Sequence, residues 1–243
     1  MARFRRIVRF VRALNVEAPI HAVMGSMYAV ETREPVVHLT YDDGPHPEVT
    51  PAVLDALDEF GAPATFFMLT REAERYPELV HEVRRRGHTV ALHTRTHRRL
   101  STLTWRELID EVIVARRDLE AIAETEIAWF RPPYGAEGIR GVPVVRAGGM
   151  RTVGWSSDTH DWKGLKGEDP LRNARKNLEG GGIVLMHDVP ATDSVKGDRD
   201  AGFVSKDELT RLLLAEMSEN GLRAVSLADL LASGSILKRA RLT

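Results

Sequence analysis

The chain has 243 residues, with 34 Lys and Arg against 35 Asp and Glu, and no cysteine. A formal net charge of −1 offers no broad electrostatic attraction for nucleic acid, and the missing thiols exclude disulfides, thiolate metal sites and a cysteine nucleophile. This length can bury one substantial core, and single α/β barrels are commonly of this size.

Residues 1–12 interleave arginine with Phe, Ile and Val, giving a basic amphipathic arm. Arg9, Arg12 and Glu17 interrupt every apolar run before it reaches signal-peptide length, so a cytoplasmic location is expected. No apolar stretch is long enough to span a bilayer. The arm can lie on an anionic lipid surface, or pack as a surface helix on the domain. Residues 13–34 read as an irregular lead-in, which leaves 1–34 as arm and lead-in and 35–243 as one folded domain.

The run 36–41 is apolar, β-branched and without strict alternation, the pattern of a buried parallel strand; it stops at Asp42, Asp43 and Gly44-Pro45. Thr50-Pro51 predicts a helix start and Gly61 its end. A strand over 64–69 follows, then a helix from about Tyr76-Pro77 to Gly87 with Leu79, Val80 and Val83 inward. The strand 89–92 leads into His93-Thr94-Arg95-Thr96-His97. Thr104 and Glu107 form a capping box that opens a long helix through about Glu124.

The strand 127–130 ends at Arg131-Pro132-Pro133-Tyr134-Gly135, and a short helix around Val142–Ala147 stops at Gly148-Gly149. A strand over 151–155 leads to Ser156 through Trp162, and Asp169-Pro170 caps a helix ending at Gly180. The strand 183–186 runs straight into His187-Asp188. After a polar loop over 190–204, Ser205 and Glu208 form a second capping box, followed by a helix to Gly221, a strand over 222–225 and a final helix from Ser226. Seven strands alternating with helices predict one α/β domain of parallel strands with barrel-like closure.

In such folds the carboxyl ends of the strands face the ligand. Adjacent carboxylates such as Asp42 and Asp43 repel, and a bound cation lets both stay ionised. His93 and His97 are four apart; on a helical turn they share a face and reach one metal ion. Two imidazoles and one carboxylate supply three ligands and leave positions open for water or substrate. Arg131, Asp158, Asp161 and His187 fall at other strand ends. Each alone reads as a satisfied loop residue, the Asp pair as a solvated turn and the His pair as a helix surface. Their gathering at one face is what those bland readings leave unexplained.

Five ordered segments, 40–45, 93–97, 131–135, 158–162 and 185–187, resemble the motifs of the polysaccharide deacetylase family, also known as NodB-homology proteins or carbohydrate esterase family 4. The resemblance spans roughly 35–232 and implies a distorted (β/α) barrel of about seven parallel strands. It implies a metal-dependent hydrolase that removes acetyl from an N-acetylated sugar or glycan. Asp42 would be the general base, held by Arg131, and Asp43, His93 and His97 the ligands of one divalent ion, Zn²⁺ first and Co²⁺, Mn²⁺ or Fe²⁺ as alternatives. The Tyr134 N–H would serve the oxyanion, and His187 would be the general acid, oriented by Asp161 or alternatively Asp158. Pro133, Trp162 and Leu185 would line the substrate pocket. Ala91 and Leu92 depart from the glycine and asparagine common before the first metal histidine. Rival readings are a relative cleaving another C–N bond such as a cyclic amide, an inactive binding protein that keeps the fold, and a Mg²⁺-dependent phosphoacceptor domain.

Overall fold

The computed structural model describes residues 25–163, 169–190 and 204–239. The basic arm and nearly all of the predicted loop 190–204 lie outside the described residues. Strand β1 (Ser26–Glu31) comes first, and β2 (Val36–Asp42) is buried along its whole length, as its lack of strict alternation predicts. Around β2 lie β3 (Ala64–Met68), β4 (Thr89–Leu92), β5 (Trp129–Phe130), β6 (Arg151–Thr152), β7 (Ser157–Asp158) and β8 (Ile183–His187). Their order is β6-β5-β4-β3-β2-β8-β7, every pairing is parallel, and β9 (Arg223–Ala224) pairs with the start of β2.

The sheet curls into a half-barrel that does not close. The strand expected over 151–155 shortens at this gap to β6, and β7 begins beyond its expected end. The reason is a side chain: the carbonyls of Val153 and Gly154 accept from the Arg131 guanidinium instead of from a neighbouring strand. Ser156 N–H then crosses to the Ile183 carbonyl, and the chain resumes pairing beside β8.

Helices cover the strands in sequence. Helix α1 (Val49–Glu59) begins one residue before the predicted cap, and Thr50 caps nothing because its hydroxyl is turned inward to Asp188. An unpredicted short helix α2 (Thr70–Arg75) precedes α3 (Pro77–Arg85). The capping box at Thr104 and Glu107 forms and opens α4 (Trp105–Leu108), which continues through a π-helical stretch (Ile109–Val114) into α5 (Ala115–Ala123). Then come α6 (Gly138–Ala147), α7 (Asp169–Arg175), α8 (Lys206–Glu219) and α9 (Leu227–Ala232). Helix α6 starts earlier than expected and α7 ends earlier, whereas Ser205 and Ser226 cap α8 and α9. No helix among the described residues is long and apolar enough to cross a membrane.

One element pair escaped the sequence. Residues 26–31, expected to be irregular, form β1 and pair antiparallel with β10 (Ser235–Arg239), which follows α9. The ribbon is too short and too half-exposed to show periodicity, yet Met27 and Val30 are buried against Val36, Phe67, Val153 and Ile183. Val30 N–H donates to the Gly181 carbonyl at 2.8 Å, and Gly181 has φ +87°. A Cβ on Gly181 would sit 1.9 Å from the Val30 oxygen. Gly181→Ala therefore carries both a left-handed penalty and a backbone clash, and should cost at least ~1–3 kcal/mol. Equilibrium urea unfolding reads this as a lowered midpoint; an unchanged midpoint would mean that the ribbon is not docked there.

Candidate active site

The site grows from the carboxyl end of β2. Asp42 is 3% exposed, and Asp42 Oδ1 accepts from Arg131 Nη1 at 2.6 Å. Arg131 has no exposure at all. Its Nη1 also donates to Thr40 Oγ1 at 2.8 Å, its Nε to the Val153 carbonyl at 3.1 Å and its Nη2 to the Gly154 carbonyl at 2.9 Å. The guanidinium plane lies over Phe67 and Trp155, 4.1 and 5.6 Å from the ring centroids. Burial pulls the guanidinium pKa down and Asp42 opposes that, the balance of a buried ion pair.

Asp43 turns away from β2 with φ +78°. Its Oδ1 lies 3.4 Å from His93 Nε2 and 3.3 Å from His97 Nε2, and it is buried without a hydrogen-bond partner among the described residues. His93 Nδ1 is 2.8 Å from the Arg131 carbonyl, which can only accept, so Nδ1 carries the proton and Nε2 presents a lone pair. One ligand atom from each of Asp43, His93 and His97 falls within 4.8 Å of the others. An orphaned buried carboxylate oxygen facing two imidazole nitrogens fits a divalent cation. Burial opposes charge on both Asp43 and His93. The facing imidazoles, His93 foremost, nevertheless hold the Asp43 carboxyl below the usual carboxylate range, and Asp42 with Asp43 raises the pKa of His93.

The two histidines do not share a helical turn, as their spacing predicts. Residues 93–97 are an irregular loop in which Thr94 and His97 have φ of +73° and +65°. Glu111, on the π-helical stretch, holds that loop: Oε2 accepts from the N–H groups of Arg95 and Thr96 at 3.0 and 2.9 Å, and Oε1 from the Thr96 hydroxyl. The widened helical turn and the loop it grips are one device.

On the other side, His187 Nδ1 donates to Asp161 Oδ1 at 2.8 Å, and His187 N–H to Asp161 Oδ2 at 3.0 Å. Asp161, not Asp158, is the partner. Asp158 Oδ1 instead accepts from His160 N–H at 2.7 Å, because the chain turns there with His160 at φ +55°. Burial lowers the pKa of His187, but Asp161, together with Asp42 and Asp43, outweighs it and pushes it up to about 9.

Tyr134 has φ +62°, is 57% exposed and meets the edge of His97, with Arg99 over its ring. Pro133 beside it is buried, Trp162 is 42% exposed near His160, and Leu185 is buried two residues before His187, on the same face of β8. Asp43, Thr94, His97, Tyr134 and His160 are five of the six non-glycine residues with positive φ among those described. Strain of ~1–3 kcal/mol per residue is concentrated at this face.

Sequence reasoning passed over two carboxylates. Glu111 carries no signal, since an acidic residue inside a helix normally faces water. Asp188 was visible only as the neighbour of His187. Its Oδ1 accepts from Gly44 N–H and its Oδ2 from the Thr50 hydroxyl, at 3.1 and 2.6 Å, and burial pushes its pKa up to about 7. The Asp188 carboxylate fills the place of a Gly44 Cβ, which fixes glycine after the Asp pair.

The family model described as polysaccharide deacetylase matches residues 29–153. The chain belongs to the polysaccharide deacetylase family. It is 35% identical over 168 residues to a chitooligosaccharide deacetylase of Azorhizobium caulinodans, covering 69% of this chain and 80% of the relative. It is 31% identical over 206 residues to a peptidoglycan-N-acetylglucosamine deacetylase of Bacillus cereus, covering 84% and 92%. Among solved structures, the Bc1960 peptidoglycan N-acetylglucosamine deacetylase superimposes with a TM-score of 0.75 at 26% identity, over 86% of this chain and 94% of that one. The half-barrel is thus the deacetylase fold, and the expected fold class holds.

Two measurements follow from this geometry. Arg131→Met leaves Asp42 buried and unpaired and should cost ~3–5 kcal/mol in urea unfolding, with part of the loss restored by adding Asp42→Asn. Additive losses in the double variant would mean that the two groups do not stabilise each other. In chelator-treated protein, NMR titration should find His187 protonated at neutral pH and losing its proton as pH rises through about 9. Asp161→Asn removes the charge that raises it, so that step should move to lower pH.

Proposed function

We propose that this family member is a metal-dependent carbohydrate N-deacetylase, which hydrolyses the acetamido group of an N-acetylated sugar to acetate and a free amine. The observation that carries the proposal is the placement of a base pair, Asp42–Arg131, and an acid pair, His187–Asp161, around the Asp43, His93 and His97 cluster with its unpartnered Oδ1. The named activities of the relatives support an acetylated chitooligosaccharide or peptidoglycan-type glycan as substrate.

Asp43, His93 and His97 would hold one divalent ion; one carboxylate and two imidazoles suit Zn²⁺ first, and Co²⁺, Mn²⁺ or Fe²⁺ next. Such an ion supplies a Lewis acid to the amide carbonyl and to a water. Asp42 takes the proton of the attacking water, and Arg131 fixes its orientation by occupying Oδ1. The Tyr134 N–H donates to the developing oxyanion. His187, with Nδ1 bonded to Asp161, gives the proton on Nε2 to the departing nitrogen, without which the C–N bond does not break. Pro133, Trp162 and Leu185 wall the space for the acetyl methyl.

The test pairs metal analysis with acetate release from N-acetylglucosamine oligomers. About one tightly bound transition metal per chain and chelator-sensitive acetate release are expected. Asp42→Asn should keep the metal and lose ~10²-fold or more in kcat, whereas His97→Ala should lose both metal and activity. Metal retained by His97→Ala would defeat the ligand assignment, and a metal-loaded protein releasing no acetate would defeat the acetyl substrate.

A further inference from the structure

Beyond these groups, one side chain reaches the acid half of the site from a segment that carries no motif. Lys206 opens α8, and its ammonium donates to Asp161 Oδ2 at 2.7 Å and to the Asp161 carbonyl at 3.1 Å. The same Oδ2 accepts from His187 N–H at 3.0 Å while Oδ1 accepts from His187 Nδ1 at 2.8 Å. These contacts leave the carboxylate one orientation. The lysine side chain is only 9% exposed, so it is not a solvated charge that happens to lie near.

Its backbone is fixed as well. The Lys206 carbonyl accepts from the Thr210 hydroxyl at 2.8 Å, and Thr210 Oγ1 accepts in turn from the Tyr41 hydroxyl at 2.9 Å. Tyr41 precedes Asp42 on β2, so the position of the lysine is keyed to the strand that carries the base. A buried ion pair alone is a poor device for stability, since apolar packing of the same volume usually serves as well. A cation on the carboxylate that holds a proton-donating imidazole has a chemical use.

We propose that Lys206 is a positioning residue for proton donation: through Asp161 it fixes the His187 ring in the orientation that presents its Nε2 proton to the departing nitrogen. Asp161, Asp42 and Asp43 all bear on His187 and all favour its charged form. Against burial, the ammonium on the far side of Asp161 holds that carboxyl below the usual carboxylate range, with His187 acting in the same direction. As the Nε2 proton passes to the departing nitrogen, the Nδ1 proton stays on the ring. Asp161 then remains a buried anion beside a neutral imidazole, and Lys206 is the partner that keeps it so.

The proposal rests on the deacetylase reading in one respect, the role of His187 as acid, and the test separates the two. Lys206→Met, Lys206→Arg and the parent are compared on N-acetylglucosamine oligomers and on 4-nitrophenyl acetate, whose leaving group departs without a proton. Lys206→Met should lower kcat on the amide ~10-fold or more, with KM little changed. The ester, less sensitive to the acid and a control for folding, should change by less than ~3-fold, and Lys206→Arg should restore most of the amide activity. Equal losses on both substrates, or no loss on either, overturn the proposal. Independently of turnover, the downfield NMR resonance of the His187 Nδ1–H, assigned by its absence in His187→Gln, should shift in Lys206→Met. A resonance that does not move also overturns it. A parent that releases no acetate from the oligomers would defeat the deacetylase reading and leave the resonance test standing.

Discussion

A guanidinium with no solvent exposure, closed on Asp42, is the constraint on which the rest of the structure depends. Arg131 spends its donors on two different tasks. Toward β2 it holds a carboxylate and a threonine hydroxyl; toward the gap in the sheet it holds the two carbonyls of Val153 and Gly154. The half-barrel can stay open at that point because a side chain satisfies the backbone that a closing strand would have satisfied. Fold and chemistry therefore share one buried charge, and neither can change without the other. Its carbonyl extends the same coupling to the Asp43, His93 and His97 cluster, where it accepts from His93 Nδ1 and aims the other ring nitrogen.

Around that pair, the functional loops are held by carboxylates that do no chemistry themselves. Glu111 collects the donors of the loop between the two histidines, Asp188 collects those of the turn after the Asp pair, and Asp161 collects those of His187. Each loop contains residues in the left-handed region, a conformation that persists only where surrounding contacts over-determine it. The supports come from α4–α5, from β8 and from the 3₁₀ turn at Asp161, elements separated widely in sequence. Preorganisation here is a property of the whole domain.

Much of this was legible from residues alone. Buried strands without alternation, the capping box at Thr104, the N-cap at Ser205, and chemistry-bearing residues at successive strand ends all survive in three dimensions. What failed did so for identifiable reasons. The β1–β10 ribbon is half-exposed and long-range, so it leaves no periodic trace. The strand at 151–155 is cut short at Thr152 by a side chain from about twenty residues earlier, which no local pattern encodes. His93 and His97 do meet, but through a strained loop gripped by Glu111 and not through helical geometry. Asp161 and Asp158 could not be separated by spacing; burial and a single positive φ at His160 separate them.

The β1–β10 ribbon also bears on how the molecule comes into being. Thr32 donates to the Ser233 carbonyl, a contact that spans 201 positions, and β2 finds its β8 neighbour, with His187 at the end, only after more than half of the chain has passed. On a ribosome the first strand would emerge long before its partner, with its apolar face and its unpaired edge exposed. Such high contact order slows folding, because loop closure must be met before the distant pairing returns any stabilisation. The domain thus acquires His187 late and its closing ribbon last. An incompletely synthesised chain would hold Asp42, Asp43, His93 and His97 while still lacking His187, the residue proposed to protonate the amine.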